Sequence, residues 1–430
     1  MDINRRVAYL TLMDVETKKS FSNLALNHHI KIHDPGSPAF IRELTYGVLE
    51  NKILLDHYID QLVKTGAASL KAADRTILRM GIYQLGFMDS VPEYAAVNES
   101  VVMAKKYCRG RSGFINGVLR GYLSKKDQLT LPDPAEDIVK YLSVKYSYEP
   151  WIVELWMEEY GAEFVEELLA AGNETPDNTI RYNWMKVRKQ DLIEKLVERG
   201  FEVSEGRVCQ NALYVKGSGL LETGLYEDGF FSVQDESSML VAEKLDPKHG
   251  ETIMDMCAAP GGKTMAIAER MNNTGRIIAS DIYRRKLDLI DREAYRLGMK
   301  NIETRAWDAT RLDSSMIGKA DRVLVDAPCS GLGVVRRKPE IKYKEKTQEM
   351  DLLPRTQLKI LTNAAKYVKV GGTLVYSTCT INPYENQRVV DDFLKKNSMF
   401  EVEEMIQLLP NRDGTDGFFI CVMKNEGLLI

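Results

Sequence analysis

No stretch of the 430 residues approaches the roughly 18 consecutive apolar residues that a helix needs to cross a bilayer, so a helical membrane span is not expected. The opening MDINRRVAYLTLMDVE is broken by charges and lacks the apolar centre of a secretory leader, which makes a cytoplasmic location the expectation. Cysteine is sparse. The six, at 108, 209, 257, 329, 379 and 421, include no Cys-x-x-Cys pair, and none stands at zinc spacing from a histidine. Structural zinc is therefore not expected, and in a reducing compartment each thiol is by default a small buried hydrophobe. Internal repeats and low-complexity tracts are missing as well.

What is present is the composition of a soluble globular chain, 44% hydrophobic and 28% charged. Its length exceeds what one core organises, so two or three domains are expected. A net charge of −4 argues against an indiscriminate polyanion binder, but the average hides unlike regions. Residues 1–130 carry 18 basic and 13 acidic side chains, leaving a net of −9 for the other 300. Lys105, Lys106, Arg109, Arg111, Arg120, Lys125 and Lys126 follow one another with no acid among them, a local patch suited to phosphates.

The rhythm of the chain changes twice. Up to about residue 125 apolar residues recur at helical spacing, as in Val97, Val101, Ala104 and Cys108. KKDQLTLPDPAED has two prolines and no period, which marks a linker; EPWIVELWMEEYGAEFVEELLAAGNE reads as one helix with a solvated acidic side. Between 178 and 228 strand-like TIRYN and ALYVKG flank the amphipathic RKQDLIEKLVERG, a small α+β unit. From 229 the order is strand–helix–strand, through ETIMDMCAAPGG, GRIIASD, NIETRAWDA, DRVLVDAPCS and GGTLVYSTC. That alternation predicts a mostly parallel α/β sheet with helices on both faces, and GFFICVMKN suits an antiparallel last strand. The expected organisation is an all-α domain over 1–127, linker helices and a small α+β domain over 128–228, and a Rossmann-like α/β domain over 229–430.

In such sheets a ligand sits beyond the carboxyl ends of the strands. The first strand ends in DMCAAPGGKT, whose glycines let backbone approach a ligand and whose helix start offers free N–H groups. A P-loop ending in Gly262-Lys263-Thr264 would need glycine at 257, where Cys257 stands, and no G-x-G-x-x-G occurs. Without either phosphate cradle, the expected cofactor is a nucleoside lacking phosphates, S-adenosylmethionine. Asp281, at the second strand end, suits two ribose hydroxyls, and Asp308, at the third, suits an adenine amino group. Either acid alone is more often a cap or a solvated loop residue; in this order beside the glycine loop they reinforce one another.

A thiol beside a methyl donor addresses one chemical problem. Carbon 5 of a pyrimidine is a poor nucleophile until a thiolate adds to carbon 6, and a base must afterwards remove the carbon-5 proton so that the thiol can leave. Asp326, Cys329 and Cys379 supply an acid and two thiols from two strand ends, and the chemistry alone permits either cysteine to attack. A thiol is mostly protonated at neutral pH, so a cation such as Lys263 nearby would favour attack.

CAAPGGKT, DAPCSGLG and STCTINPYEN resemble the Fmu/Sun (RsmB-like) family of 16S ribosomal RNA (cytosine-5)-methyltransferases. NESVVMAKKY and FINGVLR are similar to the NusB-like RNA-binding domain of one bacterial branch, RYNWMK to its middle domain (RRM-like), and VQDESS to the opening of its catalytic domain. The resemblance implies methylation of 16S ribosomal RNA, with S-adenosylmethionine bound by Cys257, Ala258, Ala259, Pro260, Gly261, Gly262, Lys263, Asp281, Asp308 and Asp326. It also selects Cys379 as the nucleophile, Cys329 for product release and Asp326 beside the target base. The implied partner is RNA, not DNA or membrane, and the chain is expected to act as a monomer. The basic run RRKPEIKYKEK (336–346) suits a loop laid against RNA. The same reaction on transfer RNA and a non-catalytic RNA-binding assembly factor are the alternatives. Asn382-Pro383-Tyr384 as an adenine N6-methylation motif stands after the wrong strand and reads better as a turn.

Overall fold

Helical periodicity carries the first part of the chain into helices α1 (Ile3–Lys18), α2 (Ser22–His33), α3 (Pro38–Glu50), α4 (Lys52–Leu62), α5 (Ala72–Phe87), α6 (Glu93–Tyr107), α7 (Ser112–Lys125), α8 (Ile138–Tyr146), α9 (Pro150–Tyr160) and α10 (Ala162–Ala171). The computed structural model describes residues 1–427. It divides the chain into two compact units, Met1–Glu174 with Val335–Lys346, and Thr175–Val334 with the chain from Thr347 onward. No helix among the described residues is long and apolar enough to cross a membrane.

In the first unit Ile41, Leu44, Leu55, Ile77 and Leu119 are fully buried at the centre. Each such side chain contributes roughly 1.5–3 kcal/mol of transfer free energy. The acidic stretch expected as one helix is two, because the chain turns at Gly161 (φ +81°) between α9 and α10. The run 336–346 also departs from expectation. Its centre, Pro339–Tyr343, is a short 3₁₀ turn packed into this unit rather than a basic loop open to solvent. Lys342 is fully buried, its Nζ donating to the carbonyls of Glu50 (2.8 Å) and Tyr146 (3.2 Å) and to Oδ1 of Asn173 (2.7 Å). Burial pulls its pKa down to about 7. Tyr343 donates to the carbonyl of Leu49 and Glu340 accepts from Ser22. Charge composition cannot foresee this, since a lysine whose three N–H groups meet three acceptors can be buried.

The second unit holds two sheets. In the smaller, β1 (Thr179–Tyr182), β2 (Glu202–Glu205), β3 (Ala212–Lys216) and β4 (Phe231–Val233) pair antiparallel in the order β2-β3-β1-β4. Helix α11 (Lys189–Val197) sets Leu192 and Leu196 into one core with Ile180, Leu213 and Phe231. After α12 (Glu236–Leu245) the larger sheet is built from β5 (Thr252–Asp255), β6 (Arg276–Asp281), β7 (Ile302–Ala306), β8 (Ala320–Asp326), β9 (Val368–Thr378), β10 (Phe400–Leu408) and β11 (Phe418–Asn425). The intervening helices are α13 (Gly262–Arg270), α14 (Arg284–Leu297), α15 (Gln348–Tyr367), α16 (Gln387–Leu394) and α17 (Pro410–Asp413). Strand order is β10-β11-β9-β8-β5-β6-β7, parallel from β9 through β7, with β11 antiparallel to both its neighbours.

Successive strand residues face opposite ways, and both faces are covered. Ile253, Ile277, Leu324, Val375 and Ile420 join α12, α13 and α14 in one core. Their neighbours Met254, Ile278, Val323, Leu374 and Phe419 join α15 and α16 in the other. From β5 the chain winds outward to β6 and β7, then returns to β8 on the other side. The crevice above the β5–β8 junction is the switch point where such sheets bind ligands.

Candidate active site

Residues 256–261 turn from β5 into α13. Gly261 caps the helix at φ +108°, a conformation that favours glycine, and a Cβ there would stand a tight 3.1 Å from Cγ1 of Ile290. The loop is tied to both flanking strands: Met256 N donates to the Leu324 carbonyl (3.0 Å) and Ala258 N to the Ser280 carbonyl (2.8 Å). Arg181, buried on β1, reaches the start of α13. It forms two 2.9 Å bonds to the Glu269 carboxylate, a 3.1 Å bond to the Gly262 carbonyl and one to Gln234. The small sheet thereby braces the glycine loop, a contact that the RYNWMK stretch alone does not reveal.

Two of the acids expected to bind the cofactor stand at the end of β6 and just past β7. Asp281, at the end of β6, accepts from Tyr283 N on one oxygen only. Ile282 and Tyr283 beside it stand exposed. Asp308, two residues past β7, accepts from the backbone and hydroxyl of Thr310, which hold its carboxyl below the ordinary range. A loop of small residues at a helix start, a strand-end carboxylate with an open oxygen and adjacent exposed apolar surface fit an adenosine-bearing group without phosphates.

Asp255 lies beneath the loop, fully buried, with one oxygen accepting from Thr264 Oγ1 (2.7 Å) and the other without a partner. Burial, with Asp326 and Asp281 adding to it, raises its pKa from 3.8 to about 7. The folded state therefore holds this proton across a window in which the unfolded chain has lost it. The contribution of this one group to stability is full below about pH 4 and falls as pH rises to about 7, by of order 4 kcal/mol for a three-unit shift. Asp255→Asn is expected to remove that decline. Unfolding titrations of both proteins from pH 4.5 to 8 check it, and parallel curves for variant and parent would refute it.

The two thiols come from neighbouring parallel strands. Asp326 of β8 pairs in register with Ser377 of β9, so DAPC and STC emerge side by side. Cys329 and Cys379, 50 residues apart in sequence, stand with their sulfurs 3.3 Å apart, both partly exposed. The backbone keeps this register: Ala327 N donates to the Ser377 carbonyl (2.8 Å) and Gly333 N to the Cys379 carbonyl (3.0 Å). A Cβ on Gly333 would stand 1.8 Å from the Gly417 carbonyl, so the approach tolerates no side chain there. The bond to Cys379, then burial, then the charges of Cys379, Glu385 and Asp326 raise the Cys329 pKa well above its ordinary value. Cys257 is also held up by burial, as a structural thiol is.

Lys263 Nζ lies 2.8 Å from Asp326 Oδ2 and 4.9 Å from the Phe418 ring centre. Burial works against its charge, yet Asp326 and then Cys379 raise its pKa. The ammonium expected to serve a thiol is thus shared with a carboxylate, whose other oxygen accepts from Ser377 Oγ (3.0 Å). Ser377, Phe418, Gln357 and Glu385 complete the surroundings. Of these, Ser377 and Glu385 belong to the STCTINPYEN motif itself, whereas nothing in their local sequence marks Gln357 or Phe418. In the first unit Lys105, Lys106, Arg109, Arg120, Lys125 and Lys126 are exposed, and Arg111 pairs with Asp74 (3.2 Å).

The sequence matches the model of the 16S rRNA methyltransferase RsmB/F family over residues 242–424, the NusB family over 2–124 and an RsmF/B-like ferredoxin-like domain over 148–220. A Bacillus subtilis (strain 168) protein described as a probable ribosomal RNA small subunit methyltransferase B is 37% identical, covering 98% of this chain and 99% of its own. The ribosomal RNA small subunit methyltransferase B of Escherichia coli (strain K12) is 31% identical, with 94% of each chain covered. The crystal structure of PH0851 superposes with a TM-score of 0.83 at 26% identity, over 98% of each chain.

Proposed function

This chain belongs to the family of RsmB/F 16S rRNA methyltransferases, and from that premise and the site's geometry we propose that it methylates carbon 5 of a cytidine in 16S ribosomal RNA through a transient Cys379–carbon 6 bond. The observation that carries the reading is the pair of sulfurs 3.3 Å apart beside the Lys263–Asp326 ion pair. A methyltransferase acting on a ring nitrogen or a ribose oxygen has no use for two adjoining thiols.

S-adenosylmethionine, held by Cys257, Ala258, Ala259, Pro260, Gly261, Gly262 and Lys263 with Asp281, Asp308 and Asp326, supplies an electrophilic methyl group when bound. The protein's own groups act around it. The Cys329 S–H stabilises the Cys379 thiolate, which adds to carbon 6 and leaves carbon 5 electron-rich. Asp326, oriented by Lys263 and Ser377, faces the polar edge of the base. Once Cys379 is a thioether, the influence that most raises the Cys329 pKa is gone. Cys329 then releases its proton to water at the mouth beside exposed Pro328. Its thiolate takes the carbon-5 proton, the electron pair of that bond restores the 5,6 double bond, and the carbon–sulfur bond breaks. The Cys379 thiolate and the Cys329 thiol are regenerated, with one proton released overall. The exposed basic residues of α6 and α7 suit the phosphates of the RNA.

The test is to incubate 16S ribosomal RNA fragments with the enzyme and isotopically labelled methyl donor, digest to nucleosides and map the label. Label in 5-methylcytidine at one position, together with trapping of the enzyme on RNA containing 5-fluorocytidine, is expected. Label in any other nucleoside would overturn the proposal.

A further inference from the structure

We propose that Glu385 is a positioning residue that clamps the loop of Cys329 to the loop of Cys379 and, through its charge, reserves Cys329 for the second half of the reaction. This rests on the two-thiol reading above and extends it to a residue that touches neither substrate nor donor.

Glu385 is buried, with 1% of its surface exposed. One carboxylate oxygen accepts from Ser330 N, the residue after Cys329, and from Gln357 Nε2 of α15, each at 2.9 Å. The other accepts from Asn382 Nδ2 (2.8 Å), three residues after Cys379. Both oxygens only accept, the pattern of an ionised carboxylate. Gln357 Nε2 donates at the same time to the Pro328 carbonyl (2.9 Å), so the peptide groups on both sides of Cys329 are held by one linked pair of side chains. Ser330 and Thr380 hydroxyls bond across the same gap (2.7 Å), and Tyr376 fixes the Glu385 carbonyl (2.6 Å). Three segments distant in sequence thus meet on one carboxylate, and the sulfur separation is what they determine. A buried negative charge here disfavours a second one on Cys329, which keeps that thiol protonated while Cys379 attacks and makes it the stronger base afterwards.

Glu385→Gln conserves volume, removes the charge and turns an N–H₂ toward a donor. Three readouts test it in the full-length protein. The first is the pH dependence of iodoacetamide alkylation of each thiol, resolved by mass spectrometry without RNA. The others are the kcat of methylation and the steady-state amount of protein–RNA adduct. In Glu385→Gln the Cys329 profile is expected to move toward lower pH. Its kcat should fall about a hundredfold, as when reacting groups are misplaced, with adduct accumulating and cofactor affinity unchanged. Gln357→Leu, which frees the Pro328 carbonyl and leaves the charge, should lower kcat without moving the Cys329 profile. Glu385→Asp should restore the profile and only part of kcat, because the shorter side chain cannot span all three donors. If Glu385→Gln does not fold, the contrast between the other two variants decides. A Cys329 profile in Glu385→Gln that superimposes on the parent's, or a kcat unaffected by all three changes, would overturn the clamp. Failure of the two-thiol reading is seen separately: the alkylation profile would still shift, but no adduct would form on the parent enzyme.

Discussion

Cys379→Ala is expected to eliminate methylation, by at least about ten-thousandfold, the scale on which an enzyme loses rate with its nucleophile. At about 1.4 kcal/mol per decade that is more than 5 kcal/mol of barrier, far beyond any packing effect of one sulfur. The fold should survive, because Cys379 is partly exposed and its loop is held by main-chain and neighbouring side-chain bonds: Gly333 to its carbonyl, Thr378 to Asn386 and Asn386 to the Thr380 carbonyl. Cofactor affinity should be unchanged. The decisive measurement is protein–RNA adduct on denaturing gels with 5-fluorocytidine RNA, where the variant should give none. Adduct from Cys379→Ala at the parent's level would transfer the nucleophile's role to Cys329.

Cys329→Ala should behave in the opposite way. Attack and methyl transfer remain possible, but no group near carbon 5 then takes its proton, so the covalent complex with unmodified RNA should persist. Turnover is expected to fall by about a hundredfold to ten-thousandfold, the range attributed to a positioned general base, while adduct rises from undetectable to a large fraction of the enzyme. Digesting that adduct and finding a methylated pyrimidine still bonded to Cys379 would place the block after methyl transfer. An unmethylated adduct would instead assign Cys329 to an earlier step. The double variant should form no adduct, which separates a stalled release from non-specific crosslinking.

Much of this site can be read from short stretches because its chemistry is concentrated in three of them. DMCAAPGGKT, DAPCSGLG and STCTINPYEN each end a strand, and strand ends on one edge of a parallel sheet converge wherever the helices between them lie. Alternation of strands and helices was legible for the same reason, since β5, β6, β8 and β9 are buried on both faces and are correspondingly apolar. Strand β2 was not, because EVSE is short, polar and mostly exposed, with no alternation to betray it. At the centre of 336–346 the expected basic loop is instead a packed turn, because charge in a sequence says nothing about acceptors contributed by remote backbone. Lys342 is satisfied by Glu50, Tyr146 and Asn173.

The amino-acid sequence by itself determined the residue types, the order of elements and the two thiols each placed just past a strand. All of these depend on local periodicity and on motifs a few residues long. Tertiary structure alone decided that the sulfurs touch, that Lys263 answers to Asp326, and that Glu385 and Gln357 bind both thiol loops. Those relations depend on the β8–β9 register and the packing of α15. Ångström distances between segments tens of residues apart are settled only when the whole sheet and its covering helices assemble.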